Sequence, residues 1–235
     1  MLIRITNKCT MGCSHCMVEA TPDGRHMSRE TFEKALDFTQ RYDMPVLMLS
    51  GGEPLEHPEF FDFVEMAKGA CEIVLVLSNG MFLEDENLRN KVLALNVLVQ
   101  ITNDPKYYPK RIPKFDHPNI AYEDALRLIT PLGRAIENNI KGTQKAPMCY
   151  NLRSIVHATK DFHQTLGMMR FNQKMCSPSI NVDGTVVAGE SVQCCKIGTT
   201  ESSDQELVTN LMTMHCNKCG LEDNLSSMHR SAIGL

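Results

Sequence analysis

The 235-residue chain has 24 basic and 28 acidic side chains and a net charge of −4, so it lacks the basic footprint of a nucleic-acid-binding protein. It contains no apolar run long enough for a signal peptide or a membrane span, which predicts a cytoplasmic protein without a membrane partner. A chain of this length can bury a core without disulfides, so the ten cysteines predict metal binding or redox chemistry.

The first hundred residues alternate short apolar runs with amphipathic segments. Strands are predicted at 2–6, 45–50, 72–80 and 96–102. Helices are predicted between them at 28–42, 58–70 and 85–95, the first with Ser28 as its N-cap. This alternation is typical of a parallel sheet covered by helices, with the site loops at the carboxyl ends of the strands.

The pattern changes after Thr102. Four prolines between 103 and 119 exclude a continuous helix, and two short strands are predicted at 120–124 and 126–130. Too few residues remain for a closed eight-unit barrel. The expected fold class is α/β, an open partial (β/α) barrel over 1–140, followed by a small irregular cysteine-rich module over 141–235. A hairpin is predicted in this module, around Asp183 and Gly184.

Three cysteines with the spacing CxxxCxxC, Cys9, Cys13 and Cys16, follow the first predicted strand. Three thiolates without a nearby fourth suit a four-iron cluster in which one iron stays open for a small molecule. A tetrahedral zinc ion would need a fourth ligand, and His15 is poorly placed for it because it directly precedes Cys16. Iron is therefore favoured over zinc.

This loop resembles the signature of the radical S-adenosylmethionine (SAM) superfamily, and "SGGEP" at 50–54 resembles that family's GGE motif. The resemblance implies that the glycine backbone and the Glu53 carboxylate contact the methionine ammonium of SAM. "LSNG" at 77–80 and "VQITND" at 99–104 fall where family members contact the ribose or carboxylate of SAM. The SAM-binding residues implied in this way are Gly51, Gly52, Glu53, Ser78, Asn79, Thr102 and Asp104.

The resemblance also implies the chemistry. SAM binds the open iron of a reduced 4Fe-4S cluster, one electron cleaves the sulfonium, and a 5′-deoxyadenosyl radical abstracts a hydrogen atom from the substrate. A reductant such as flavodoxin or ferredoxin is implied as a partner. The cofactors expected are SAM, the SAM-binding cluster and a second, auxiliary cluster.

The auxiliary cluster is implied by a second group of cysteines that resembles a twitch or SPASM module. Its ligands would be Cys176, Cys194, Cys216 and Cys219, although Cys195 competes with Cys194. A zinc ribbon is the alternative, because paired cysteines around a hairpin also describe that site. Arg134, in "TPLGRA", and Cys149 are candidate catalytic residues.

The expected function is peptide or protein modification by a radical SAM enzyme, with a separate peptide-recognition protein as a possible partner. A small-molecule dehydrogenase acting on a cyclitol or sugar is the first alternative. A non-enzymatic electron carrier or zinc-binding module is the second, and it leaves the GGE motif unexplained.

Overall fold

The computed structural model describes residues 1–124, 129, 132–141, 148–169 and 177–214. Within this part of the chain, eight strands form one open sheet in the order β5-β4-β3-β2-β1-β6-β7-β8. The strands are β1 (Leu2–Thr6), β2 (Val46–Gly51), β3 (Ile73–Ser78), β4 (Leu98–Asn103), β5 (Ile120–Asp124), β6 (Ser179–Ile180), β7 (Thr185–Val187) and β8 (Lys196–Thr199). The expected open α/β architecture is confirmed.

Strands β1 to β6 are parallel to one another, whereas β7 is antiparallel to β6 and β8 is antiparallel to β7. One face of the sheet is apolar because alternate strand residues point to it, such as Ile3 and Ile5 in β1 and Val74 and Val76 in β3. The opposite face carries the intervening residues, among them Arg4 of β1, and borders a cavity. The sheet thus separates a packed core from the candidate site.

The helices are α1 (Arg29–Arg41), α2 (Phe60–Ala70), α3 (Glu86–Ala94), α4 (Arg134–Glu137), α5 (Met148–Thr159), α6 (Phe162–Met169) and α7 (Asp204–Thr213). Ser28 caps α1, because its side chain accepts a hydrogen bond from the Thr31 amide at 3.1 Å, as the sequence predicts. Phe32 of α1 and Phe63 of α2 stack with ring centroids 4.1 Å apart. The first two helices are therefore joined through the core.

The C-terminal third differs from expectation. The prediction of irregular chain after Lys141 is wrong for 148–169, which form α5 and α6. Phe162 and Leu211 belong to the same apolar core as β1, and β6 pairs directly with β1. The hairpin is confirmed as β6 and β7, with Gly184 at φ +78° in its turn. The division of the chain at 140/141 stays a prediction, and most of the strand predicted at 126–130 lies outside the described residues.

The connection from β4 to β5 is one long loop, residues 104–119, without a helix, as its prolines predict. Among the described residues, no helix is both long and apolar enough to cross a membrane. The carboxyl ends of β1 to β5 lie along one edge of the sheet, and the loops that follow them build the candidate site.

Candidate functional site

The loop after β1 brings the three predicted ligand cysteines to one cavity. Cys9, Cys13 and Cys16 all line this cavity, whose volume is about 370 Å³. The loop is held by a hydrogen bond from the Cys9 amide to the Thr21 carbonyl at 2.9 Å. A cavity of this size is within the range of small-ligand sites, roughly 300–1,000 Å³.

The environment of the thiols fits a multi-iron group. Burial and, to a smaller extent, the nearby Cys9 and Cys16 raise the pKa of Cys13 to about 12, so thiolates here need a positive partner. No three His, Cys, Asp or Glu side chains in the described part of the chain are grouped to hold one metal ion. Three thiols from one loop suit a four-iron cluster in which one iron has no protein ligand.

The two glycines after β2 allow the chain to approach itself closely. The Gly52 amide donates to the Thr6 carbonyl at 2.7 Å, and the Glu53 amide donates to the Lys8 carbonyl at 2.8 Å. A Cβ atom on Gly52 would lie 2.1 Å from the Lys8 carbonyl oxygen. These contacts fix the GGE segment against the start of the cysteine loop, and Gly51 and Gly52 line the cavity.

The Glu53 carboxylate connects the ends of β2 and β3. It accepts hydrogen bonds from the Ser78 hydroxyl at 2.9 Å and from the Asn79 amide at 2.8 Å. Burial raises the pKa of Glu53 to about 7, although these hydrogen bonds oppose the shift. Ser78 and Asn79 line the cavity, whereas Glu53, which is hydrogen-bonded to both, is not among the residues that line it.

Asn79 links the β3 loop to a cysteine. Its side-chain Oδ1 accepts a hydrogen bond from the Met81 amide at 2.9 Å, which fixes the orientation of the side-chain amide. The Nδ2 group then faces Cys9 Sγ at 3.8 Å. The structure therefore places an N–H donor on one of the three predicted ligands.

Strand β4 and the loop that follows it each contribute one of the predicted residues. Thr102 lines the cavity. Asp104 is fully buried, and its carboxylate lies 3.1 Å from Nε2 of His15. His15 stands between the second and third cysteines in the sequence, and it lines the cavity. Sequence reasoning considered His15 only as a poor zinc ligand. It did not predict the pairing of His15 with Asp104, because the two residues lie far apart in the chain.

Arg134 reaches the same cavity from α4. Its amide donates to the Cys16 carbonyl at 3.1 Å, next to Gly133 at φ +56°. Its side chain lines the cavity, and its Nε is buried without a hydrogen-bond partner among the described atoms. A guanidinium group in this position suits the carboxylate of a ligand.

Several predicted residues remain untested by the geometry. Cys176, Cys216 and Cys219 lie outside the described residues, and so does the side chain of Cys149, which belongs to α5. Cys194 lies between β7 and β8, directly before Cys195.

The residues that line the cavity and that sequence reasoning missed include Arg4, Gln100, Tyr108, Glu123 and Glu190. The sequence offered one signal for Arg4, because it is the only charged residue in the predicted first strand. Its buried guanidinium donates to Ser179 Oγ at 2.8 Å and to Asn181 Oδ1 at 2.9 Å. Glu190 follows the hairpin, where no local pattern distinguishes it.

Comparison with known protein families agrees with this geometry. The family model described as "Radical SAM superfamily" matches residues 3–143, more than half of the chain. The chain belongs to the radical SAM superfamily. It is therefore an enzyme of this superfamily, and membership implies a 4Fe-4S cluster and SAM as its cofactors.

Two curated relatives resemble this radical SAM chain over limited segments. The subtilosin biosynthesis protein AlbA of Bacillus subtilis is 28% identical over 102 residues, which cover 43% of this chain and 23% of AlbA. A probable GTP 3′,8-cyclase of Methanocaldococcus jannaschii is 29% identical over 141 residues, which cover 57% of this chain and 44% of the cyclase. The chain thus matches less than half the length of either relative.

A solved structure supports the fold of the radical SAM chain as a whole. The crystal structure of BtrN in complex with AdoMet and 2-DOIA aligns with a TM-score of 0.58 at 14% identity. The alignment covers 91% of this chain and 82% of BtrN. At this level of identity, the likeness concerns the fold alone.

Proposed function

We propose that this enzyme cleaves SAM reductively and uses the 5′-deoxyadenosyl radical to abstract a hydrogen atom from a peptide or protein substrate. The observation that carries the proposal is the single cavity shared by Cys9, Cys13 and Cys16 with the glycines after β2 and the polar residues after β3. When bound, the cluster supplies the electron that breaks the sulfonium bond.

The residues around the cavity have complementary roles in this proposal. The three cysteines hold the cluster, and Arg134 binds the SAM carboxylate. Glu53 and the neighbouring backbone bind the ammonium, for which the ionised carboxylate is needed. Ser78, Thr102 and the His15–Asp104 pair orient the ligand. The cavity walls limit the access of water to the radical.

Peptide or protein modification is favoured by the similarity to AlbA, a bacteriocin biosynthesis protein. Conversion of a small molecule is the second candidate, because the longer match is to a probable GTP 3′,8-cyclase. The non-enzymatic alternative is set aside by membership of the superfamily. A separate peptide-recognition protein would assist the favoured reaction.

The direct experiment is SAM cleavage by anaerobically reconstituted protein with dithionite, with 5′-deoxyadenosine measured by chromatography. We expect Cys13→Ala to abolish product formation, because the cluster loses one of three ligands. Cys71→Ala is the matched control, since Cys71 ends α2 and packs against the core. Equal product from the Cys13 variant and the wild type would refute the assignment.

We further propose that Cys176, Cys194, Cys216 and Cys219 hold an auxiliary 4Fe-4S cluster. The proposal rests on their spacing and on the radical SAM context. Reconstituted protein should then contain about eight irons per chain, two clusters of four. About four irons with one tightly bound zinc would instead indicate a zinc module.

A further inference from the structure

The β4–β5 loop (residues 104–119) concentrates positive charge on an acidic protein. Four cations, Lys106, Lys110, Arg111 and Lys114, occur within nine residues, whereas the whole chain has a net charge of −4. All four are exposed, and none forms a salt bridge with another described residue. No acidic residue separates them. The loop therefore presents a local positive field.

The same loop packs against the cysteine loop. The amide and hydroxyl of Ser14 both donate to the Tyr107 carbonyl, at 3.2 and 3.4 Å. Tyr108 and Ile112 pack against the small apolar cluster that contains Cys9, with Cys13 and Cys16 beside them. A protein bound to this loop would therefore contact a segment that packs directly against the predicted cluster ligands.

The loop is also fixed in shape. The Phe115 amide donates to the Tyr122 hydroxyl at 2.7 Å, and the Arg89 guanidinium lies 4.8 Å from the centre of the Phe115 ring. The prolines of the loop restrict its backbone further. Its cations thus project from a platform that is ordered before any partner binds, which reduces the entropic cost of association.

A groove of about 880 Å³ opens on this platform, lined by Lys110, Arg111, Lys114, Tyr122 and the intervening loop residues. Tyr108 lines both this groove and the SAM cavity, so it forms part of the wall between them. An occupant of the groove is thereby close to the cluster but separated from the cavity in which the substrate must react. This placement favours an electron donor over a substrate.

We propose that the β4–β5 loop is the docking surface for an acidic one-electron carrier protein of the flavodoxin or ferredoxin kind. This inference rests on the proposed function. In the docked pair the carrier is oxidised by one electron, and the cluster held by Cys9, Cys13 and Cys16 is reduced by that electron. No bond is formed or broken in this step. Electron-transfer complexes are small and rely on charge complementarity, which the exposed cations provide.

The test compares two reductants with the same reconstituted enzyme. The variant is Lys110→Gln/Arg111→Gln/Lys114→Gln, and the control is Lys34→Gln/Lys68→Gln/Lys91→Gln on α1, α2 and α3, with the same change in net charge. Formation of 5′-deoxyadenosine is measured with dithionite, and then with increasing concentrations of reduced flavodoxin or a plant-type ferredoxin. Circular dichroism and iron content establish that both variants are folded and loaded.

With dithionite, we expect both variants to match the wild type within about twofold. With the carrier protein, the loop variant should need at least a tenfold higher concentration for half-maximal rate, and the control should not. Added salt should slow the carrier-driven wild-type reaction and leave the loop variant nearly unchanged, because salt screens charge steering.

Four outcomes would overturn the inference. An unchanged response of the loop variant to the carrier would place docking elsewhere. Failure of both carriers with a wild type that is active with dithionite would show that carriers of this kind are not its electron donors. Normal carrier kinetics combined with lost binding of a polyglutamate peptide would identify a substrate-docking surface instead. Failure of the loaded wild type with dithionite would refute the proposed function, and the inference with it.

Discussion

Glu53 combines full burial with an expected cationic ligand. Burial raises its pKa to about 7 in the protein without SAM, whereas the SAM ammonium favours the ionised carboxylate. Below pH 7 SAM binding must therefore displace a proton. We expect the affinity of the cluster-loaded wild type for SAM to rise about tenfold from pH 6 to 8, with most of the rise below pH 7, and to level off above pH 8.

Glu53→Gln should weaken SAM binding at pH 8 by about 1–2 kcal/mol, because a charge-assisted hydrogen bond becomes a neutral one. The affinity of the variant for SAM should also no longer depend on pH. Calorimetric titration with SAM at several pH values would measure this. Glu72→Gln, at an exposed position before β3, is the control. A variant with unchanged affinity would limit Glu53 to connecting the ends of β2 and β3.

Asn79 is expected to influence the cluster through Cys9. An N–H donor on a ligand sulfur stabilises the more negative, reduced state of a cluster and so raises its reduction potential. Asn79→Ala should make the potential more negative, as measured by a redox titration followed by electron paramagnetic resonance. Ser78→Ala is the control, because Ser78 bonds to Glu53 and not to a cysteine. Equal potentials for Asn79→Ala and wild type would contradict the expectation.

At the scale of elements, the close contact between the segments that follow β1 and β2 depends on glycine. Gly52→Ala would place a methyl group 2.1 Å from the Lys8 carbonyl oxygen and should separate the GGE segment from the cysteine loop. We expect a loss of about 1–3 kcal/mol in stability and reduced iron retention, measured by urea unfolding and iron analysis.

Gly69 provides the contrasting position. It lies within α2, and an added Cβ would meet nothing within 4 Å. Gly69→Ala should therefore stabilise the protein by about 0.5–1 kcal/mol, through the better helix propensity of alanine. Equal effects of the two substitutions would argue against a steric role for Gly52.

Local patterns predicted the elements of the first hundred residues well. The N-cap at Ser28 and the apolar strands β2 and β3 have strong short-range signals, and α1 to α3 follow from helical periodicity. Helices α5 and α6 were missed because the cysteines and glycines nearby suggested irregular chain. Both helices pack onto α7, and α6 also packs onto α1, a constraint that no short window of sequence contains.

At the scale of the whole molecule, the described C-terminal segments share the core of the N-terminal ones. Phe162 of α6 contacts Phe38 of α1 and Tyr42, the residue directly after α1, and the Tyr42 hydroxyl donates to Asp204 at 2.5 Å. We therefore expect one cooperative unfolding transition for the described fold. Phe162→Ala should lower the free energy of unfolding by about 3–5 kcal/mol, and the whole transition should shift.

Urea unfolding followed by circular dichroism and by tyrosine fluorescence would measure this shift. Met168→Ala, on the same helix at a position that is 54% exposed, should change stability little. Two separate transitions, with Phe162→Ala affecting only one, would instead support independent domains divided near residue 140.

Part of the candidate site could be predicted from the sequence alone. The cysteine loop and the GGE motif are contiguous, so their residue types and spacing carry the signal directly, and the expected order of strands and helices follows from local periodicity. The pairing of His15 with Asp104, the anchoring of Arg4 to β6 and the docking of Arg134 on Cys16 join distant segments. Such contacts arise only when the sheet brings the strand ends together, because no local preference of either partner encodes them.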